Sequence, residues 1–198
     1  MFLTCVAVKI HRSVRIKQNG ANNPAKDNSV VKPYILRPLA EQDVSAFRAI
    51  RLEALRRHPD AFGADYDRER QQPDAFFAAM LRENRMLAGI DDQGQTAGIV
   101  GVRFNPGVKQ RHVATLWGMY VRPEWRGSGL AKALLTAAIA EARECRSLKL
   151  AVSATNIAAA RLYRSAGFQT YATDVAALYV DGVFHDTLLM RRDAEPER

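Results

Sequence analysis

The stretch from Ala114 to Leu135 constrains the fold most, because its apolar pattern changes period within a few residues. Apart from one glycine, residues 115–121 are β-formers or large apolar side chains, which is typical of a strand. From Leu130 onward the apolar residues follow helical spacing. The turn Arg126-Gly-Ser-Gly129 joins the two parts. The stretch therefore predicts a strand, a tight turn and a helix in immediate succession.

The turn has the composition of an anion site. The first amides of a helix have no partner within the helix and lie at the positive end of its dipole. Glycine lets backbone approach a ligand closely, and a neighbouring arginine adds charge. Residues 126–132 therefore predict a phosphate or pyrophosphate site, although the glycines could equally serve the turn geometry alone. Neither a P-loop nor a G-x-G-x-x-G fingerprint fits this spacing.

Residues 33–192 read as one α/β domain with a mixed sheet. Strands are predicted at 33–38, 85–90, 96–104, 113–121, 148–152, 168–171, 178–180 and 187–190, and helices at 41–57, 73–82, 129–145 and 156–165. Residues 62–66 are predicted as a loop, and Asp181-Gly182 as a hairpin turn. Because a helix separates the strands at 113–121 and 148–152, these two are predicted to be parallel.

The excess positive charge lies mainly at the amino terminus. Residues 1–33 contribute +5 of the net +8, and the remainder contributes +3. Residues 1–32 are therefore predicted to form a basic, disordered extension, and residues 193–198 a charged tail. For the extension, a solvated segment without a function is favoured over an arm that binds nucleic acid. No apolar run is long enough to span a bilayer, so no membrane partner is expected. Cys5 and Cys145 lack metal-ligand spacing, which favours a reducing, cytoplasmic setting.

A second motif lies downstream, where Asn156-x-x-Ala-x-x-Leu-Tyr163 is followed by Gly167-Phe168. Asn156 is suited to cap a short helix, and Gly167 to follow its end. Together with Arg-x-x-Gly-x-Ala at residues 126–131, this motif resembles the GNAT superfamily of acetyl-coenzyme-A-dependent N-acetyltransferases. The resemblance covers roughly residues 34–192.

The resemblance implies a fold and a co-substrate. The fold would be a mostly antiparallel twisted sheet of about seven strands, flanked by about four helices, whose central parallel pair splays apart to hold coenzyme A. Acetyl-CoA would be the co-substrate, and no metal is implied. Its pantetheine arm would pair with backbone near Met119, Tyr120 and Val121, and Asn156 would contact the same arm. Its pyrophosphate would lie on the turn formed by Arg126, Gly127, Ser128, Gly129, Leu130, Ala131 and Lys132.

The resemblance also implies a catalytic residue. Tyr163 matches the tyrosine that protonates the departing coenzyme A thiolate, although a tyrosine at such a position, seen alone, is more often core. A phenol with a pKa near 10 suits this role only within hydrogen-bond reach of the sulfur. The acceptor would be a primary amine on a small molecule or a peptide, attacking directly in a ternary complex. A sensor that binds acyl-CoA without turnover is the alternative.

The general base is not identified from the sequence. Some relatives place a glutamate where this chain has Ala151, and others place a carboxylate where it has Thr115 or Trp117. Candidates by chemistry alone are Glu53, Asp65, Asp67, Glu69 and His112, for each of which a solvated surface role is favoured. A water chain without a dedicated base stays open.

Several further side chains carry expectations. Trp117 and Tyr120 are expected in the core. Trp125 is expected to cover the cofactor or a dimer surface, and a homodimer is one expectation for the assembly. Arg51 and Glu53 are expected to form a surface pair on the first helix.

Overall fold

The computed structural model describes residues 32–194, in which one sheet of seven strands is flanked by five helices. The strands are β1 (Tyr34–Pro38), β2 (Arg85–Asp91), β3 (Thr96–Phe104), β4 (Val113–Val121), β5 (Ser147–Ser153), β6 (Gln169–Val180) and β7 (Val183–Asp193). The helices are α1 (Val44–Arg57), α2 (Tyr66–Arg70), α3 (Asp74–Glu83), α4 (Leu130–Glu141) and α5 (Ile157–Ser165). Residues 1–31 and 195–198 lie outside the described part, and the predictions for them are not tested.

The sheet has the strand order β1-β2-β3-β4-β5-β7-β6. Every neighbouring pair is antiparallel except β4 and β5, which are parallel. This confirms the predicted mixed sheet with a central parallel pair. Because β4 and β5 are joined through α4, the connection is the crossover that a parallel pair requires.

The fifth helix, α2, was not expected within the described residues. It follows directly from the predicted loop at residues 62–66 and begins where the Asp65 carboxylate accepts the Arg68 N–H at 2.8 Å. A helix this short makes little more than one turn, which is too little for a visible apolar period. Helix α4 also ends earlier than predicted, at Glu141. The chain turns there towards β5, with the Cys145 N–H donating to the Ala142 carbonyl at 2.9 Å.

The sheet ends in a long hairpin rather than in the two short strands predicted at 168–171 and 178–180. Strand β6 is one element from Gln169 to Val180 and pairs with β7 on both sides of two register shifts, and Ala176 within the second shift has a positive φ of 54°. The middle of β6 consists of polar and small residues, so it shows no alternation of apolar side chains by which a strand could be predicted. The strand forms nevertheless, because backbone hydrogen bonds do not require apolar side chains. The hairpin turn at Asp181-Gly182 is confirmed, since both residues have positive φ and Val180 pairs with Val183.

Apolar clusters cover both faces of the sheet. Alternate residues of β3 point to opposite faces, so Val100 packs with α4 and α5, whereas Ile99 packs with α1 and α3. Tyr120 is buried, as expected, and Trp117 packs against the α1 side. Trp125 is also buried, with its ring edge-on to Tyr34 at 6.3 Å. The expectation that Trp125 covers a cofactor or a dimer surface is therefore wrong, because the side chain is buried with the cluster on the α4 side of the sheet.

Candidate active site

The parallel strands separate soon after they pair. Three residue pairs join β4 to β5, the last of them Thr115 with Lys149. On its other edge, β4 remains paired with β3, through a register shift at which Gly118 has φ 61°. Backbone of residues 116–121 therefore faces a gap between the strands. Met119, Tyr120 and Val121, the predicted partners of an extended cofactor arm, lie along this gap, where a ligand could add as a strand.

The turn after β4 forms a backbone nest at the start of α4. Gly127 and Gly129 have φ of 78° and 83°, and a Cβ added to either would meet no atom within 4 Å. The Ser128 hydroxyl donates to the Trp125 carbonyl at 2.7 Å and so fixes the turn. Since α4 is 12 residues long, its first-turn amides, including those of Ala131 and Lys132, add their dipole at this point. The nest therefore has the shape and polarity to hold a pyrophosphate.

The side chain of Arg126 is held towards α1. Its Nη2 lies 3.1 Å from Nε2 of His58, the residue that caps the carboxyl end of α1. The His58 ring lies 5.9 Å from that of Tyr120. Burial and the charge of Arg126 lower the pKa of His58, so its ring is neutral near pH 7 and accepts the guanidinium N–H. Sequence analysis missed His58, because His-Pro at the end of a helix indicates only where the helix stops.

The second motif contacts strand β4 through Tyr163. Asn156 caps α5 as predicted, with its side-chain oxygen accepting the Ala159 N–H at 3.1 Å. Tyr163 is buried and donates its hydroxyl hydrogen to Sδ of Met119 at 3.4 Å. Burial raises the pKa of Tyr163 above its ordinary value of 10, so the phenol carries its proton at neutral pH. A proton donor therefore lies against the residue predicted to contact the cofactor arm.

Glu53 belongs to a network that joins α1 to the end of β4. Its carboxylate accepts from the Tyr120 hydroxyl at 2.9 Å and from Arg122 Nε at 3.0 Å, and Arg57 lies 3.5 Å away. The expected surface pair of Glu53 with Arg51 is therefore wrong. Burial and the hydrogen bond to Glu53 raise the pKa of Tyr120 to about 12. The network ties the predicted pantetheine strand to the first helix.

Arg51 pairs instead with Glu69, and both side chains are buried. Two hydrogen bonds of 2.9 and 3.0 Å join the guanidinium to the carboxylate. The Arg51 guanidinium also lies 5.6 Å from the ring centre of Trp117 and 5.7 Å from that of Phe62. The surface role expected for Glu69 is wrong. The reason is that α2, which carries Glu69, packs onto α1 across an intervening loop that the sequence pattern did not resolve.

The other base candidates lie at the surface, as expected. The Asp65 carboxylate caps the amino end of α2, and the Asp67 carboxylate accepts a hydrogen bond from Arg70 at 2.7 Å. His112 is exposed. Ala151 is exposed on β5. Every candidate carboxylate thus already accepts at least one hydrogen bond. Between residues 32 and 194, no group of three His, Cys, Asp or Glu side chains could hold a metal ion. No helix in that range is long and apolar enough to cross a membrane.

Comparison with known proteins agrees with this geometry. Residues 47–168 match the model of the acetyltransferase (GNAT) family. The chain is 31% identical over 156 residues to mycothiol acetyltransferase from Nocardiopsis dassonvillei, covering 71% of this chain and 44% of that protein. It is 35% identical over 93 residues to aminoglycoside N(6')-acetyltransferase type 1 from Stenotrophomonas maltophilia, covering 44% of this chain and 61% of that protein. The chain therefore spans about half the length of these curated relatives.

A solved structure shares the fold. The yncA protein of Salmonella typhimurium, determined with its cofactor acetyl-CoA, superposes with a TM-score of 0.68 at 22% identity. The superposition covers 83% of this chain and 96% of that one. At this identity the likeness concerns the fold, which includes the seven-stranded sheet with its single parallel pair.

Proposed function

The chain belongs to the acetyltransferase (GNAT) family, and from this membership we propose that it transfers acetyl from acetyl-CoA to the nitrogen of a primary amine. The observation that carries the proposal is the gap that opens between β4 and β5 after Thr115, with a backbone nest at its end. Acetyl-CoA supplies the reactive thioester when it is bound. The match to an aminoglycoside acetyltransferase supports a small-molecule acceptor. A homodimer and a cytoplasmic location stay predictions.

The residues along the gap suit the two polar parts of coenzyme A. Backbone of Met119, Tyr120 and Val121 would pair with the amides of the pantetheine arm. The glycine nest and the first-turn amides of α4 would hold the pyrophosphate, and Arg126 would turn from His58 to add its charge. The carbonyl oxygen of the Asn156 side chain is used in capping α5, so we propose that this residue meets the arm through its amide nitrogen.

The chemistry needs a neutral amine and a proton for the leaving sulfur. The amine nitrogen bonds to the acetyl carbon while the carbon–sulfur bond breaks, and Tyr163 gives its hydroxyl proton to the thiolate. The amine gives up its own proton, and Tyr163 is reprotonated from solvent. Because Glu53 and Glu69 already accept hydrogen bonds from arginines, we propose that water, rather than either carboxylate, takes the proton from the amine.

Replacing Tyr163 with phenylalanine tests the proposal. General acid catalysis contributes about 10²–10⁴-fold, so Tyr163→Phe should lower kcat by about 100-fold or more in a thiol-release assay with a panel of amines. Calorimetric binding of acetyl-CoA should change little. The matched control is Tyr171→Phe, since Tyr171 is exposed on β6 and should leave kcat unchanged.

Two results would contradict parts of this proposal. Turnover that Tyr163→Phe leaves intact would remove the role of Tyr163. Binding of acetyl-CoA without turnover of any amine would favour the sensor alternative.

A further inference from the structure

A cleft lies between the segment that follows α1 and the end of β6. It has a volume of about 420 Å³, with Leu55 as part of its floor. One wall is Pro59 with residues 62–67, and the other is residues 178–181. Clefts that bind small molecules have volumes of about 300–1,000 Å³. The cleft therefore has room for one small ligand.

The cleft lies close to the bulge in β4. Phe62 in its wall contacts the Arg51 guanidinium, which also covers the ring of Trp117. A Cβ added to Gly118 would lie 3.7 Å from Nη1 of the same arginine. Glu69 fixes Arg51 from the other side. Arg51 thus connects one wall of the cleft to the strand that borders the cofactor gap.

The cleft and Tyr163 lie on opposite faces of the sheet. Phe62 packs with the α1 cluster, whereas Tyr163 belongs to the α4 and α5 cluster. An acceptor in the cleft would reach the bulge from the α1 side, and the proton donor would act from the α5 side. This arrangement suits direct attack on a thioester, because the amine can add to one face of the planar carbonyl while the departing sulfur receives its proton from a different group.

The charges and rings that line the cleft favour a cation. Three carboxylates, those of Asp65, Asp67 and Asp181, line it together with one cation, Arg56. Asp67 is paired with Arg70, whereas among residues 32–194 no ion pair of Asp181 is found. The rings of Phe62, Tyr66 and Tyr179 also line the cleft. Aromatic faces attract ammonium groups, and the excess of carboxylates adds to that attraction.

We propose that this cleft is the acceptor site and takes a small amine with at least one further cationic nitrogen, of the kind found in linear polyamines and amino sugars. The proposal rests on the acetyltransferase function proposed above. The reacting amine would lie towards Phe62, and the second cationic group would lie between Asp67 and Asp181.

Kinetics with spermidine and with n-hexylamine test the proposal, because the two amines differ in whether a second cation is present. Asp181→Asn keeps the shape of the turn, since asparagine tolerates a positive φ. This variant should raise KM for spermidine about tenfold and change KM for hexylamine less than twofold. The matched control is Asp174→Asn, an exposed carboxylate of β6 that does not line the cleft.

Several outcomes would overturn the proposal. The first is an equal change in KM for both amines in Asp181→Asn, and the second is an unchanged KM for spermidine in that variant. The third is turnover of an alanine-initiated peptide in preference to both amines. Absence of turnover with every amine would instead contradict the proposed function. In that case, calorimetry with spermidine alone tests whether the cleft binds a polyamine. The Kd for spermidine should rise about tenfold in Asp181→Asn and stay unchanged in Asp174→Asn. Equal Kd values in the wild type and both variants would reject the site.

Discussion

At the scale of single residues, protonation of the His58 ring is expected to make the stability of the fold depend on pH. Burial, with the charges of Arg126 and Arg57, lowers the pKa of His58 below its ordinary value of 6.5, and Asp60 opposes this shift. As the pH falls below about 6.5, the unfolded chain therefore binds a proton that the folded chain does not yet bind. Stability from this site is present above pH 6.5 and is lost as the pH falls below it.

The variant His58→Gln should remove this dependence. Between pH 7.5 and 5.5, the Tm of the wild type should fall more than the Tm of His58→Gln, because glutamine has no proton to take up. Thermal unfolding at several pH values measures the difference, and His112→Gln controls for the loss of an exposed histidine. Parallel curves for the wild type and His58→Gln would contradict the assignment.

Residues whose roles are local could be predicted from the sequence. The Asn156 cap and the Asp181-Gly182 turn depend on a few neighbouring residues, and both are observed. The contact of Arg126 with His58 and the hydrogen bond of Tyr120 to Glu53 join residues more than 60 positions apart. No local pattern encodes such contacts, so the sequence offered Glu53 as a base candidate with a favoured surface role, and not as the partner of Tyr120.

At the scale of elements, the buried pair of Arg51 and Glu69 fixes α2 onto α1. Their side chains are 5% and 10% exposed, so neither charge is well solvated when its partner is removed. Breaking a buried pair costs about 3–5 kcal/mol. Glu69→Gln should therefore lower the free energy of unfolding, measured in urea, by about that amount. The double variant Arg51→Met with Glu69→Leu should lose less than the sum of the single changes.

An exposed pair provides the matched control for this prediction. Arg48 and Asp74 also join α1 to another helix, at 2.9 Å, but their side chains are 35% and 61% exposed. Exposed pairs contribute about 0–1 kcal/mol. Asp74→Asn should therefore cost about 1 kcal/mol or less. A loss in Glu69→Gln no larger than the loss in Asp74→Asn would mean that the buried pair does not hold α2.

How well a helix or strand could be predicted from the sequence depends on how much apolar surface it buries. Strand β4 begins and ends at the predicted residues, because its side chains pack on both faces of the sheet. Strand β6 is exposed along most of its length, and its middle was predicted as a break. Helix α2 is held by the ion pair of Glu69, the Asp65 cap and a hydrogen bond from Arg48 to the Arg70 carbonyl, which leave almost no periodic signal. The element that the sequence missed contributes Tyr66 and Asp67 to one wall of the proposed acceptor cleft.

At the scale of the whole molecule, the proposed chemistry lies entirely within the described residues. The family match covers residues 47–168, and every proposed site residue lies between 51 and 181. Of the amino-terminal side chains, Lys32 contacts the domain, with Nζ 2.7 Å from the Glu124 carbonyl and 5.3 Å from the Trp125 ring centre. Residues 1–28 carry +4 of the net +8 and have no part in the proposed mechanism.

Deleting residues 1–28 should therefore leave the domain and its proposed activity intact, because Lys32 and its contact with Glu124 remain. We expect kcat/KM for the best amine to stay within about twofold of the full chain, and Tm to stay within a few degrees. Electrophoretic retention of duplex DNA at low salt, measured on both proteins, distinguishes a solvated extension from a nucleic-acid arm. Binding that requires residues 1–28 and weakens steeply with salt would establish such an arm, because each phosphate contact releases a counterion. Equal and weak retention of DNA by both proteins is the expected result, since a solvated extension is favoured over a nucleic-acid arm.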